Sequence, residues 1–134
     1  MGTALGSAPL VSPVLTASGC SAFGRELEPF FDLRSIGAVV TKSVQLRTRS
    51  GRPTPRMAET PSGMLNSIGL QGPGIDGLLA DELPWLAERG VRSLVSIAGT
   101  RVEHFAELAE RLRGVPGVIG LEVNISCPNV ESRG

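Results

Sequence analysis

The chain has 134 residues, 41% of them hydrophobic and 19% charged, the make-up of a globular domain with a core and not of a disordered segment. Thirteen basic residues balance thirteen acidic ones, so overall charge gives no drive for nonspecific nucleic-acid binding. No apolar stretch approaches a membrane-crossing length, no leader pattern opens the chain, and Cys20 and Cys127 are too far apart in sequence for a metal-ligand pair; a soluble cytoplasmic protein without a bound metal is expected.

Apolar runs alternate with amphipathic ones. Residues 13–17 predict a first short strand, followed by the turn-like Ser18-Gly19-Cys20. Residues 24–31 have helical character, with Leu27, Phe30 and Phe31 on one face. Residues 38–41 predict a second strand that carries Lys42 and Ser43 at its carboxyl end. The segment 47–56, rich in Arg, Pro and Gly, reads as a loop too broken for regular structure, its four arginines most simply a solvated surface, with anion steering as the alternative. A helix is expected over 75–88, with Pro84 breaking or restarting it and Gly90 as its C-cap. Residues 94–97 predict a third strand. Residues 101–112 predict a helix in which Thr100 and Glu103 form a capping box and Val102, Phe105, Ala106, Leu108, Ala109 and Leu112 make an apolar stripe. His104 on that helix is expected at the surface.

The last strand, 118–123, runs into Asn124-Ile125-Ser126-Cys127-Pro128-Asn129. It delivers a thiol, a hydroxyl and two carboxamides to its carboxyl end, which in α/β folds is where ligands bind. Carboxamides offer donors and acceptors together and suit a planar ring with alternating N–H and C=O groups; a thiol beside them can act as base or nucleophile. Strand–helix alternation argues a parallel α/β fold. A complete (β/α)₈ barrel needs about 250 residues, so about four parallel strands in 134 residues read as a half barrel, one domain over 1–134.

Five segments, in order, carry a resemblance to the dihydroorotate dehydrogenases: residues 13–20 (PVLTASGC), 41–43 (TKS), 53–56 with 58–61 (PTPR, AETP), 64–71 (MLNSIGLQ) and 124–129 (NISCPN). The resemblance implies a (β/α)₈ TIM barrel with FMN across the carboxyl ends of its strands. It also implies oxidation of dihydroorotate to orotate in pyrimidine biosynthesis, with a hydride passing to FMN. Cys127 would be the base and Lys42 a cation for the substrate carboxylate or the flavin. Asn66, Ser67, Ile68, Gly69 and Leu70 would form the substrate loop, and Asn124 and Asn129 would bracket the ring. Ser18, Lys42, Ser43, Ser96 and Asn124 would contact FMN, and Cys20 would be a small buried side chain near it. Two other readings remain: a related FMN barrel acting on reduced pyrimidine bases, and an inactive truncated product.

The resemblance is greater to the soluble, NAD-linked branch than to the membrane-bound class, which carries serine where Cys127 stands. That branch implies a partner subunit holding FAD and an iron–sulfur cluster, in a homodimer or heterotetramer. Three departures fall where the family has asparagine: Ser96, Gly72 and Arg52. The family's second half, with its phosphate-binding turns, lies outside the matched segments.

Overall fold

The computed structural model describes residues 3–126. In chain order the strands and helices are β1 (Thr3–Leu5), β2 (Ala8–Leu10), β3 (Val39–Val40), β4 (Met57–Thr60) and β5 (Gly63–Asn66), then α1 (Gly74–Gly77), a π turn (Leu78–Glu82), α2 (Leu83–Glu88), β6 (Ser93–Ala98), α3 (Val102–Leu112) and β7 (Val118–Asn124). Two single 3₁₀ turns, Arg25–Leu27 and Leu33–Ser35, precede β3. The central sheet is parallel, in the order β3-β6-β7.

β6 is central and its side chains are almost wholly buried, as expected of a parallel strand covered on both faces. Val39, Val44, Val95 and Ile97 from the sheet pack with Ile75, Leu78, Leu83, Leu86, Leu108 and Leu112 from the helices, and this single cluster is the core. Burying each such side chain contributes roughly 1.5–3 kcal/mol.

Pro84 does not end its helix. The helix widens ahead of it: the Leu83 N–H bonds the Leu78 carbonyl, five residues back, and α2 continues with the proline in its first turn. The far end closes as expected at Gly90, at φ +67. There the Gly90 N–H reaches Ala87 O and the Val91 N–H reaches Leu86 O, the paired bonds of a Schellman cap. Trp85 on this helix lies under two guanidiniums, Arg25 at 4.7 Å and Arg89 at 4.1 Å from the ring centre. Arg25 bonds Glu82 at 2.7 Å and Arg89 bonds Glu28 at 2.8 Å, a crossed pair that fastens residues 25–28 to the helix.

Several expectations are corrected. Residues 13–17 form no strand; Leu15 makes one parallel bridge to Ala38, since Pro13 lacks a donor and the Thr16 hydroxyl takes the Val40 N–H at 2.8 Å. The central sheet therefore has three strands and a bridge in place of four strands. Residues 24–31 give one 3₁₀ turn, with Phe30 81% and Phe31 37% exposed, so only Leu27 of the expected face meets the core. The Thr100–Glu103 capping box is absent: the helix is capped at Arg101, with no side-chain bond, and Thr100 faces His104 instead. The apolar stripe of α3 narrows accordingly, with Val102 79% exposed and Leu108 and Leu112 buried.

The segment 47–56 forms no strand or helix, as expected, but it is not free of pairing. It is one leg of a long antiparallel arm whose other leg is residues 66–72, joined by Arg49–Gly72, Arg52–Ile68 and Arg56–Ser67 backbone bonds and continued by the β4–β5 hairpin. Gly51, at φ +78, sits where a Cβ would come within 2.7 Å of Ile68 O, so the close approach of the legs requires glycine. Composition marked this stretch as turn-rich but carried no alternation to reveal a ribbon exposed on both faces. The hairpin β1–β2 was missed because its strands are only three residues long, too short to show alternation.

Two outcomes test this description. Leu78→Ala, at a fully buried position, should cost about 2–5 kcal/mol in chemical denaturation, whereas Phe30→Ala should change stability by less than about 0.5 kcal/mol. Asp32 caps the Leu33–Ser35 turn, and hydrogen bonds from the Arg34 side chain and backbone N–H lower its pKa from 3.8 to about 2. Because the folded value is depressed, its contribution is complete above the ordinary carboxylate range and is lost as pH falls towards about 2. A carboxyl NMR titration should find that midpoint, and Arg34→Ala should return it towards 3.8.

Candidate functional site

The carboxyl ends of the three parallel strands meet in a buried polar cluster. Along the β3 side, the Thr41 N–H bonds Leu94 O and the Val44 N–H bonds Ser96 O. Three steps on one chain thus match two on the other, which is a bulge at Lys42–Ser43. The Thr41 hydroxyl fills the gap by accepting the Ser96 N–H at 3.1 Å. The bulge brings the Ser43 hydroxyl to 2.8 Å from the Ser96 hydroxyl, and Asn124 Nδ2 donates to Ser43 Oγ at 3.0 Å. Asn124 Oδ1 accepts from the Ser126 N–H at 3.4 Å, so both ends of the carboxamide are held. Thr41 and Ser96 are completely buried and Ser43 is 7% exposed, while Asn124 is half-buried. Asn124 is therefore the member of this cluster with a free face.

Lys42, next to Ser43, lines a separate cavity of about 580 Å³, walled by Phe23, Glu26, Arg49, Ile68 and Gln71 among others. It is the only lysine in the chain, and it makes no salt bridge among the described residues. Its backbone N–H is anchored on Ala22 O at 2.8 Å. Among the described residues two non-glycine residues have positive φ, Ala22 at 43° and Leu70 at 53°. Ala22 lines the Lys42 cavity, and Leu70 lies between Ile68 and Gln71, which also line it. Strained backbone of this kind costs about 1–3 kcal/mol per residue and gathers at functional sites.

The structure thus joins Ser43, Ser96 and Asn124 by hydrogen bonds and sets Lys42 and Ile68 on one cavity. Asn66 ends β5 and is exposed; Ser67 is half-buried and donates its N–H to Arg56 O. Gly69 is buried at φ +80 against Arg52, with Leu70 half-buried beside it. Ser18 is half-buried in a turn and joins neither the hydrogen-bonded cluster nor the cavity. Cys127 and Asn129 lie outside the described residues. Cys20 is exposed and lines the Lys42 cavity, contrary to the buried position expected, because no packed element covers its turn. Sequence reading missed Thr41 as a backbone partner of Ser96 and Arg49 as a cavity wall. The Thr-Lys-Ser run was a usable signal for the first, and nothing in the composition signalled the second.

The family model for dihydroorotate dehydrogenase matches residues 3–134. The catalytic subunit of dihydroorotate dehydrogenase B (NAD(+)) from Anoxybacillus flavithermus is 54% identical over 125 residues, 93% of this chain and 40% of that protein. The same subunit from Desulforudis audaxviator is 53% identical over 131 residues, 98% of this chain and 43% of the relative. This chain therefore spans about two fifths of the length of these curated relatives. Among solved structures, DHODH from Eimeria tenella in complex with ferulenol superposes with a TM-score of 0.73 at 19% identity, over 98% of this chain and 38% of that one. The shared fold is that of the TIM-barrel enzymes, with its parallel sheet and flanking helices. On the family match across residues 3–134, the chain belongs to the dihydroorotate dehydrogenase family.

Proposed function

We propose that this chain forms the N-terminal half of an FMN-dependent (β/α)₈ barrel, a single domain over 1–134, that oxidises dihydroorotate to orotate. The observation that carries the reading is the Ser43–Ser96–Asn124 cluster at the carboxyl ends of three parallel strands, beside Lys42, in a chain of this family. A flavin ring presents carbonyl and nitrogen acceptors and gains negative charge on reduction. The donors here fit it: a carboxamide, a hydroxyl and an ammonium, with no carboxylate in the hydrogen-bonded cluster. FMN, when bound, supplies the hydride acceptor.

The chain's own residues take the remaining tasks. Cys127 as thiolate accepts the proton from C5 of dihydroorotate as the hydride leaves C6, so one substrate loses one proton and one hydride to give orotate. Lys42 neutralises the substrate carboxylate or the charge that develops on the ring. Asn124 keeps one N–H and one lone pair for a planar ring, since its other groups are held by Ser43 and Ser126. Asn66, Ser67, Ile68, Gly69 and Leu70 form the substrate loop, Asn129 is a further contact for the ring by family resemblance, and Ser18 adds a cofactor contact. Ser96 acts through Ser43 and not by touching the ligand, since it is fully buried. The relatives' name, catalytic subunit of an NAD(+) enzyme, supports a partner subunit; we assign it FAD and an iron–sulfur cluster, in a cytoplasmic assembly. Among the described residues no helix is long and apolar enough to cross a membrane.

Three outcomes test the reading in the full-length enzyme. Lys42→Ala should weaken orotate binding and slow flavin reduction by about 10²–10³-fold, roughly 2.7–4 kcal/mol; unchanged values for both would return Lys42 to a structural role. Cys127→Ser should leave FMN content intact while slowing reduction and moving its pH profile upward, read by stopped flow, because an alcohol is a weaker acid than a thiol. Ser43→Ala strands the Asn124 and Ser96 polar groups and should cost about 1–3 kcal/mol of stability. It should also loosen FMN, read by fluorescence of released flavin.

A further inference from the structure

A second cavity, of about 440 Å³, opens at the carboxyl end of β6 and is lined by Gln45, Arg47, Arg49, Thr100 and His104 among others. It is distinct from the serine–asparagine cluster and is separated from the Lys42 cavity by Arg49, which lines both. Among the described residues no carboxylate lines it. Six arginines in the described residues pair with carboxylates, but none of Arg47, Arg49, Arg52 and Arg56 does. Among the described residues the positive charge of this arm leg thus meets no carboxylate, and two of its four arginines line one concave space.

The walls are fixed. Gln45 Oε1 accepts from Arg49 Nη1 at 3.2 Å, and the Gln45 carbonyl accepts the Ile75 N–H at 2.9 Å. Backbone bonds in both directions tie Arg49 to Gly72. On the other wall, His104 Nδ1 accepts the Thr100 N–H at 3.4 Å, which leaves Nε2 as the protonated position of the neutral ring and a further donor. The first turn of α3 adjoins this wall and has no side-chain cap, which adds positive potential.

We propose that this cavity is a second small-molecule site, which binds a phosphate monoester through Arg47 and Arg49 with help from Thr100 and His104. Guanidinium forks match the oxygens of a phosphate dianion, and a cavity of this volume has room for an organic group as well as the phosphate. A concave pocket of this size suits a small ligand and not a flat macromolecular surface.

The test uses the full-length, FMN-loaded enzyme, with inorganic phosphate and phenyl phosphate as probes in calorimetry and phosphorus NMR. Saturable binding of both is expected, with the two competing for one site. Arg47→Glu should weaken it about tenfold or more, and His104→Ala by a smaller factor. Arg47→Gln serves if the charge reversal impairs folding, and Arg34→Glu, on a remote surface, should change nothing. Failure of both probes to saturate overturns the site, as does equal affinity in the Arg47 variants. Binding of inorganic phosphate alone overturns the ester assignment. Saturation only after FMN is stripped overturns it too, because the cavity would then be the cofactor's own phosphate site.

Discussion

A buried backbone N–H must find a partner, and here side-chain hydroxyls supply partners where the strand ladder fails. The Thr16 hydroxyl receives the Val40 N–H, and the Thr41 hydroxyl receives the Ser96 N–H. These two bonds let β3 be only two residues long inside a buried sheet. They also release Lys42 and Ser43 from the ladder, so that a polar pair can stand at the mouth of an otherwise apolar core. Without such stand-ins the strand would need to continue regularly, and Ser43 would lose its position between Ser96 and Asn124.

Much of this was legible in the sequence. The strands over 94–97 and 118–123, the helix ending at Gly90 and the helix over 101–112 all follow from apolar periodicity, which depends on burial on one face or both. The motifs at Lys42–Ser43 and Asn124 were legible because polar residues directly follow apolar runs. What escaped notice lacks a burial signature. The arm is exposed throughout its hairpin, so neither period appears in its sequence. Residues 24–31 have a helical pattern, yet proline at 29 and the pairing of Arg25 and Glu28 with the Trp85 helix hold the segment as a single turn. The strain at Ala22 and Leu70 comes from tertiary packing and has no local marker.

Charge is distributed unevenly, despite a formal net charge of zero. Arg25, Arg34, Arg89, Arg101, Arg111 and Arg113 each meet a carboxylate, and two of them also cover the Trp85 ring. Such pairs are mostly exposed and contribute little individually, about 0–1 kcal/mol. Their larger effect is to concentrate uncompensated positive charge on the leg 47–56, next to the carboxyl ends of the strands. That arrangement places positive potential near the mouth of the sheet, independently of the protein's total charge.

The arm has a thermodynamic character unlike the rest of the fold. Its hairpin buries none of its own side chains, with Met57, Met64 and Leu65 each more than half exposed. Unzipping it therefore uncovers scarcely any new apolar area, so the heat-capacity change of that local opening is small. The arm and the core then respond differently to the same solution conditions. Urea acts on the sheet and helices through apolar and peptide surface together, whereas on the ribbon it acts mainly through the peptide groups that unpairing releases.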